Sequence, residues 1–123
     1  MKMAKALGWV LAVFGVWEVA APFVLGYGYT DVAAQDVVIG VIWITFGLWI
    51  ALTSKGEAVK WLGWLGVIVG VWLFFAPALL GYTALTAAFW NDLLTGFAGA
   101  VVSMWAAFNA PKDAPAAPQP QHH

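Results

Sequence analysis

Residues 5–27 read KALGWVLAVFGVWEVAAPFVLGY, and residues 60–82 read KWLGWLGVIVGVWLFFAPALLGY. Lys5, Leu7, Gly8, Trp9, Gly15, Val16, Trp17, Ala21, Pro22, Leu25, Gly26 and Tyr27 return at a constant offset as Lys60, Leu62, Gly63, Trp64, Gly70, Val71, Trp72, Ala76, Pro77, Leu80, Gly81 and Tyr82. One residue later in register, Asp36, Gly40, Trp49 and Ala51 match Asp92, Gly96, Trp105 and Ala107. Composition bias does not hold Gly, Trp, Pro and Tyr in one frame over so many positions, so the chain is one helical hairpin written twice.

Working outward, four apolar stretches emerge at about 4–25, 36–53, 59–80 and 91–109. Each has enough residues, at about 1.5 Å rise apiece, to cross a hydrocarbon layer of about 30 Å. Of the 123 residues 63% are hydrophobic and 9% charged, too few charges to give four helices a solvated face. The expected fold is an all-α, integral membrane four-helix bundle of two tandem hairpins, a parallel internal repeat. The expected divisions are 1–54, 55–110 and a Pro/Ala-rich tail, 111–123, read as extended and mobile. The apolar run after Met1-Lys2-Met3-Ala4-Lys5 exceeds the length of a signal-peptide core, and its counterpart at 60–82 is internal. It is read as a retained first span.

Lys2, Lys5, Lys55, Lys60 and Lys112 are all the basic residues, and the loops at about 26–35 and 81–90 have none. Four crossings put the five lysines on one side, and the positive-inside rule makes that side, with both termini, cytoplasmic. The expected location is the bacterial cytoplasmic (inner) membrane, crossed several times. A net charge of −1 offers no basic patch for nucleic acid. The absence of cysteine removes disulfides, thiolate metal sites and thiol nucleophiles.

The repeated small residues suit close helix approach, which carries packing where lipid supplies no hydrophobic drive. Gly8 and Gly15 lie along the first helix, Gly63, Gly66 and Gly70 along the third, and Gly99 on the fourth. They are read as seams among the chain's own helices, with a homo-oligomer or partner seam as the other use. Pro22 and Pro77 are expected to kink or end their helices near Ala21 and Ala76. Gly26 and Gly81 suit left-handed C-caps. Asp36, Asn91 and Asp92 are read as caps opening the return helices. Trp9, Tyr27, Trp64, Tyr82 and Trp90 are read as anchors at the headgroup level.

The second copy, GVWLFFAPALLGYTALTAAFWNDLLTG at 70–96, resembles the SPW repeat of small bacterial membrane proteins. That repeat joins a Gly-x-Trp-Leu helix, ending in Ser-Pro-Trp-x-Leu-Gly, to a helix opened by Trp-Asn-Asp. Here the name-giving triplets read Ala21-Pro22-Phe23 and Ala76-Pro77-Ala78, so no role of the missing serine and tryptophan carries over. The resemblance implies a two-helix repeat in a membrane protein and brings no activity with it.

Glu18 breaks the repeat, its counterpart being Leu73. An ionised acid at such depth costs about 2.5–3.5 kcal/mol on insertion scales, so it is expected to face the bundle interior, a partner or a cavity. The bland reading is a neutral carboxyl bonded to the carbonyl that Pro22 frees. The sharper ones are a subunit contact, an ion or proton site, or a pigment or metal ligand. Trp17, Trp43 and Trp72 fall deeper than the belt and are read first as packing bulk, with contact to lipid or pigment as the alternative. No metal site or cofactor is expected, and the His122-His123 pair is given no metal role.

Catalysis is not expected: no histidine lies in the membrane region, there is no cysteine or arginine, and no cluster of carboxylates shares one helix face. The leading expectation is a non-catalytic accessory or scaffolding subunit of a larger membrane complex, respiratory or photosynthetic, bound to lipids and other integral membrane subunits. The alternative is a small oligomeric transporter or channel using Glu18 as an intramembrane ion or proton site.

Overall fold

A computed structural model describes residues 2–112. The expected mobile tail, apart from its first two residues, and His122-His123 lie outside the described residues. Four helices follow one another: α1 Lys2–Val24, α2 Asp31–Leu52, α3 Gly56–Leu80 and α4 Thr86–Phe108. There is no strand among the described residues. α1, α2 and α3 are each long and apolar enough to cross a membrane. α4 equals α1 in length and carries Asn91, Asp92, Thr95 and Ser103 within it.

Packing is tightest within the sequential pairs α1–α2 and α3–α4, looser between α1 and α4, and looser again between α2 and α3. Glycine sets the close seams. A Cβ on Gly8 would fall 2.7 Å from the Gly47 carbonyl oxygen and the Ala51 nitrogen, and one on Gly15 2.5 Å from the Gly40 oxygen. On the other pair, Gly63 faces Ser103 and Ala107, and Gly70 faces Gly96 and Ala100. Early positions of one helix meet late positions of the next, so neighbours run antiparallel in an up-down-up-down bundle. Gly66 faces Ser103, and Gly99 receives the ring of Trp43 from α2.

Pro22 and Pro77 do not end their helices, which continue to Val24 and Leu80. A proline this close to the C-terminus forfeits a single ladder bond, and its own carbonyl is used in closing the helix. The amides of Tyr27 and Tyr82 donate to the Pro22 and Pro77 oxygens at 2.8 and 3.0 Å. Gly26 and Gly81 supply the left-handed turn between, at φ 88° and 77°.

The bundle is apolar outward. Val13, Val16, Phe23, Ile68, Leu94, Phe97 and Phe108 are all exposed. The wholly buried side chains include Leu11, Trp43, Ile50, Val59 and Leu73, but also Glu18, Asp36, Asp92 and Ser103. A chain that spends its polar groups inside and its aliphatic groups outside is built for lipid.

Candidate functional site: an enclosed carboxylate cluster

Glu18 on α1, Asp36 on α2 and Asp92 on α4 converge where the 25–30 and 81–85 loops lie, each with no accessible surface. One carboxylate oxygen from each lies within 4.8 Å of those of the other two. No single helix face carries the three, which is why the cluster went unseen in the sequence. The signals were there in part: Asp36 and Asp92 are repeat partners, and Glu18 sits at a matching depth.

Two matching hydrogen-bond relays surround the acids. The Tyr27 hydroxyl donates to Asp36 Oδ2 at 2.6 Å, and the Tyr82 hydroxyl donates to Asp92 Oδ2 at 2.6 Å. Each hydroxyl accepts from an amide of the other half, Asn91 Nδ2 at 3.1 Å and Gln35 Nε2 at 3.0 Å. Each amide oxygen in turn accepts an indole N–H, Trp17 Nε1 onto Asn91 and Trp72 Nε1 onto Gln35. Trp, Tyr and Asp occupy repeat-matched positions, and Gln35 stands in register with Asn91.

These relays correct three sequence-based expectations. Asp36, Asn91 and Asp92 are not helix caps: α2 and α4 open at Asp31 and Thr86, a turn or more earlier, after Thr30 and Leu85. Their side chains serve the tertiary network instead. Tyr27 and Tyr82 are not surface anchors, being 3% and 7% exposed with hydroxyls turned inward, whereas Tyr29 is 84% exposed. Glu18 is held by a distant helix rather than by the carbonyl Pro22 frees, since its Oε1 accepts from Asn91 Nδ2 at 2.8 Å. Trp9 and Trp90 do stand on the outside, and Trp64 packs edge-on to Phe108.

The electrostatics are one-sided. Lys5 is spent at the opposite end of the bundle on the Ala51 and Thr53 carbonyls, and Lys55 and Lys60 lie at the start of α3. Asn91 Nδ2, with two hydrogens, faces three acceptors: Glu18 Oε1, the Tyr27 oxygen and Asp92 Oδ1 at 3.2 Å. Glu18 Oε2 and Asp36 Oδ1 are buried and accept nothing from the described protein. Burial foremost, then the Asp36 carboxylate it bonds, pushes the Tyr27 hydroxyl well above the ordinary tyrosine range. Burial and Asp92 do the same to Tyr82. Both therefore remain donors at any physiological pH.

Beyond the cluster, toward the end bearing the termini, the interior is filled. Trp43 has no exposure, and its Nε1 points to the Gly66 oxygen at 3.4 Å. Leu11, Ile50 and Val59 complete the plug, and Leu73 is buried at the level of Glu18 in the other half. On the side of the cluster, a mostly apolar groove of about 630 Å³ between α1 and α4 is lined by residues that include Trp17, Leu25, Trp90, Asn91, Leu94 and Thr95.

Apolar helices turned outward and carboxylates gathered inward define a small, multi-pass, all-α membrane protein. The chain belongs to the SPW repeat domain family, whose model matches residues 5–106. No curated protein and no solved structure matches the chain.

Proposed function

We propose that this protein is a non-catalytic accessory or scaffolding subunit of a larger assembly in the bacterial cytoplasmic membrane. The observation that carries the reading is the filled axis. Trp43, Leu11, Ile50 and Val59 close the bundle between the acid cluster and the lysine-bearing end. A transporter or channel needs a polar route continued past its site, and this core speaks against one within a single chain. What the chain offers is an outward apolar surface set with Trp9, Trp49, Trp61, Trp90 and Trp105. Other integral membrane subunits can pack against such a surface, and so can lipid.

We read the two halves as tandem hairpins related by an axis along the membrane normal, with both termini and the 53–55 loop cytoplasmic. The matched Trp–amide–Tyr–Asp relays and the placement of all five lysines support that arrangement. The carboxylate cluster then lies in the outer half of the membrane.

The test is extraction from native membranes in mild detergent, native gel migration, and mass spectrometry of the band. The reading predicts co-migration with larger membrane proteins in fixed ratio. Migration of the chain alone, as a monomer or small oligomer, would overturn it.

A further inference from the structure

We propose that Glu18, Asp36 and Asp92 form a binding site for a divalent, oxygen-preferring cation of about calcium's size, entered from the groove beside Asn91. The ligands are three carboxylates from three helices, held in place by hydrogen bonds that the Asn91 amide and two tyrosine hydroxyls donate to them. There is no sulfur or imidazole among these groups, so the site suits a hard ion rather than zinc or copper. Carboxylate oxygens within 4.8 Å of one another span close to what one ion bridges at calcium–oxygen distances of about 2.3–2.6 Å, with a small inward movement of the side chains closing the shell.

The cluster alone would not carry this. The independent observation is how the six carboxylate oxygens divide. Four accept a hydrogen bond from Tyr27, Tyr82 or Asn91. The other two, Glu18 Oε2 and Asp36 Oδ1, are fully buried and accept none. They belong to two of the three ligand residues. A buried, ionised carboxylate oxygen without a donor is costly, and natural structures meet that cost with a hydrogen bond, a proton or a cation. No lysine reaches this end of the bundle among the described residues.

The geometry also supplies an entry. Asn91 is 8% exposed and forms part of the wall of the α1–α4 groove, while its Nδ2 touches Glu18 on the inner side. Asn91 is thus the side chain that lies between the groove and Glu18. In the other half the matching place at position 73 is held by leucine, so a third ligand comes from the first repeat alone. Glu18 is thereby the residue that turns a symmetric pair of Tyr–Asp contacts into a three-ligand site.

The experiment uses the full chain in detergent, stripped with chelator and then dialysed against Ca²⁺, with elemental analysis of bound metal. About one Ca²⁺ per chain is expected, and a thermal unfolding midpoint raised by added Ca²⁺ but not by equal ionic strength of Na⁺. Mn²⁺ in place of Ca²⁺ gives an electron paramagnetic resonance readout that depends on neither folding nor unfolding. Glu18→Gln preserves the oxygen that accepts from Asn91 and is expected to weaken binding about tenfold or more, whereas Glu57→Gln at the opposite end leaves it unchanged. Metal at blank level in the wild-type chain, with no Ca²⁺-dependent shift, would overturn the proposal whatever the variants do. So would a Glu18→Gln chain that folds and binds Ca²⁺ as tightly as wild type. Either result would leave protons shared among the acids as the explanation of the unpartnered oxygens.

Discussion

Gly47→Ala is the substitution in which the packing geometry gives the sharpest number. A Cβ at this position would meet the Ala12 nitrogen and the Gly8 oxygen at 2.5 Å and the Ala12 Cα at 2.9 Å. All three are backbone atoms of α1, so no side chain can swing aside. Restoring an ordinary contact requires α1 and α2 to part by roughly 1 Å, and a gap of that size forfeits about a quarter to a half of the dispersion energy of the contacts it opens. Overpacking of this kind costs about 1–3 kcal/mol, and a rigid backbone neighbour argues for the upper part of that range. Against it stands the helix propensity that alanine gains over glycine, about 1 kcal/mol. The net expectation is a loss of about 1–2 kcal/mol, a shift of roughly five- to thirtyfold in the folding equilibrium. Reversible unfolding in mixed micelles by rising detergent fraction, followed by tryptophan fluorescence, measures it. Val13→Ala, on a residue 63% exposed to the outside, is the control and should change little. If Gly47→Ala is as stable as wild type or more so, the seam is not set by backbone contact and the reasoning fails.

Further expectations concern the relays and the topology. Tyr27→Phe and Tyr82→Phe each delete a 2.6 Å hydrogen bond to a buried carboxyl and should each cost about 1.5–3 kcal/mol in the same unfolding assay. Because the two hydroxyls serve one cluster, the double variant should depart from the sum of the singles, and strict additivity would argue that the relays are independent. Both phenols are raised above their unfolded value, so the stability they contribute is whole below about pH 10 and is lost as pH climbs beyond it. An alkaline unfolding transition that moves to higher pH in Tyr27→Phe would agree with this, and one that does not move would remove Tyr27 as its cause. With no native cysteine to compete, Thr30→Cys should react with an impermeant thiol reagent only from outside the cell. Gly56→Cys should react only from the cytoplasmic side, and labelling of both from one face would end the four-crossing arrangement.

The one-dimensional pattern was sufficient for the number of helices, for the family and for the left-handed turns at Gly26 and Gly81, while it opened α2 and α4 five residues late and left out Gly40, Gly47 and Gly96 from the seams. What it did supply depends on residue type and spacing along a single segment: apolar length, a small residue every fourth position, a glycine after a helical run. The offset between the two copies also pairs Asp36 with Asp92 and Tyr27 with Tyr82 before any coordinates are known. What those pairs do was misread. A polar residue near a helix start has a local use as a cap and a tyrosine near a helix end has a local use at the interface, and spacing alone cannot say that neither use is taken.

Only the tertiary structure decided that Glu18, Asp36 and Asp92 share one place. Their separation in sequence carries no distance, because the register between helices is fixed by where Gly8, Gly15, Gly40 and Gly47 let two backbones close. The loose α1–α4 contact then brings Asn91 against Glu18 and Trp17. Hydropathy determined that the chain lives in lipid, since the transfer of apolar surface adds up residue by residue. The polar centre is a property of packing, since a buried carboxyl is defined by what three separate helices bring to it.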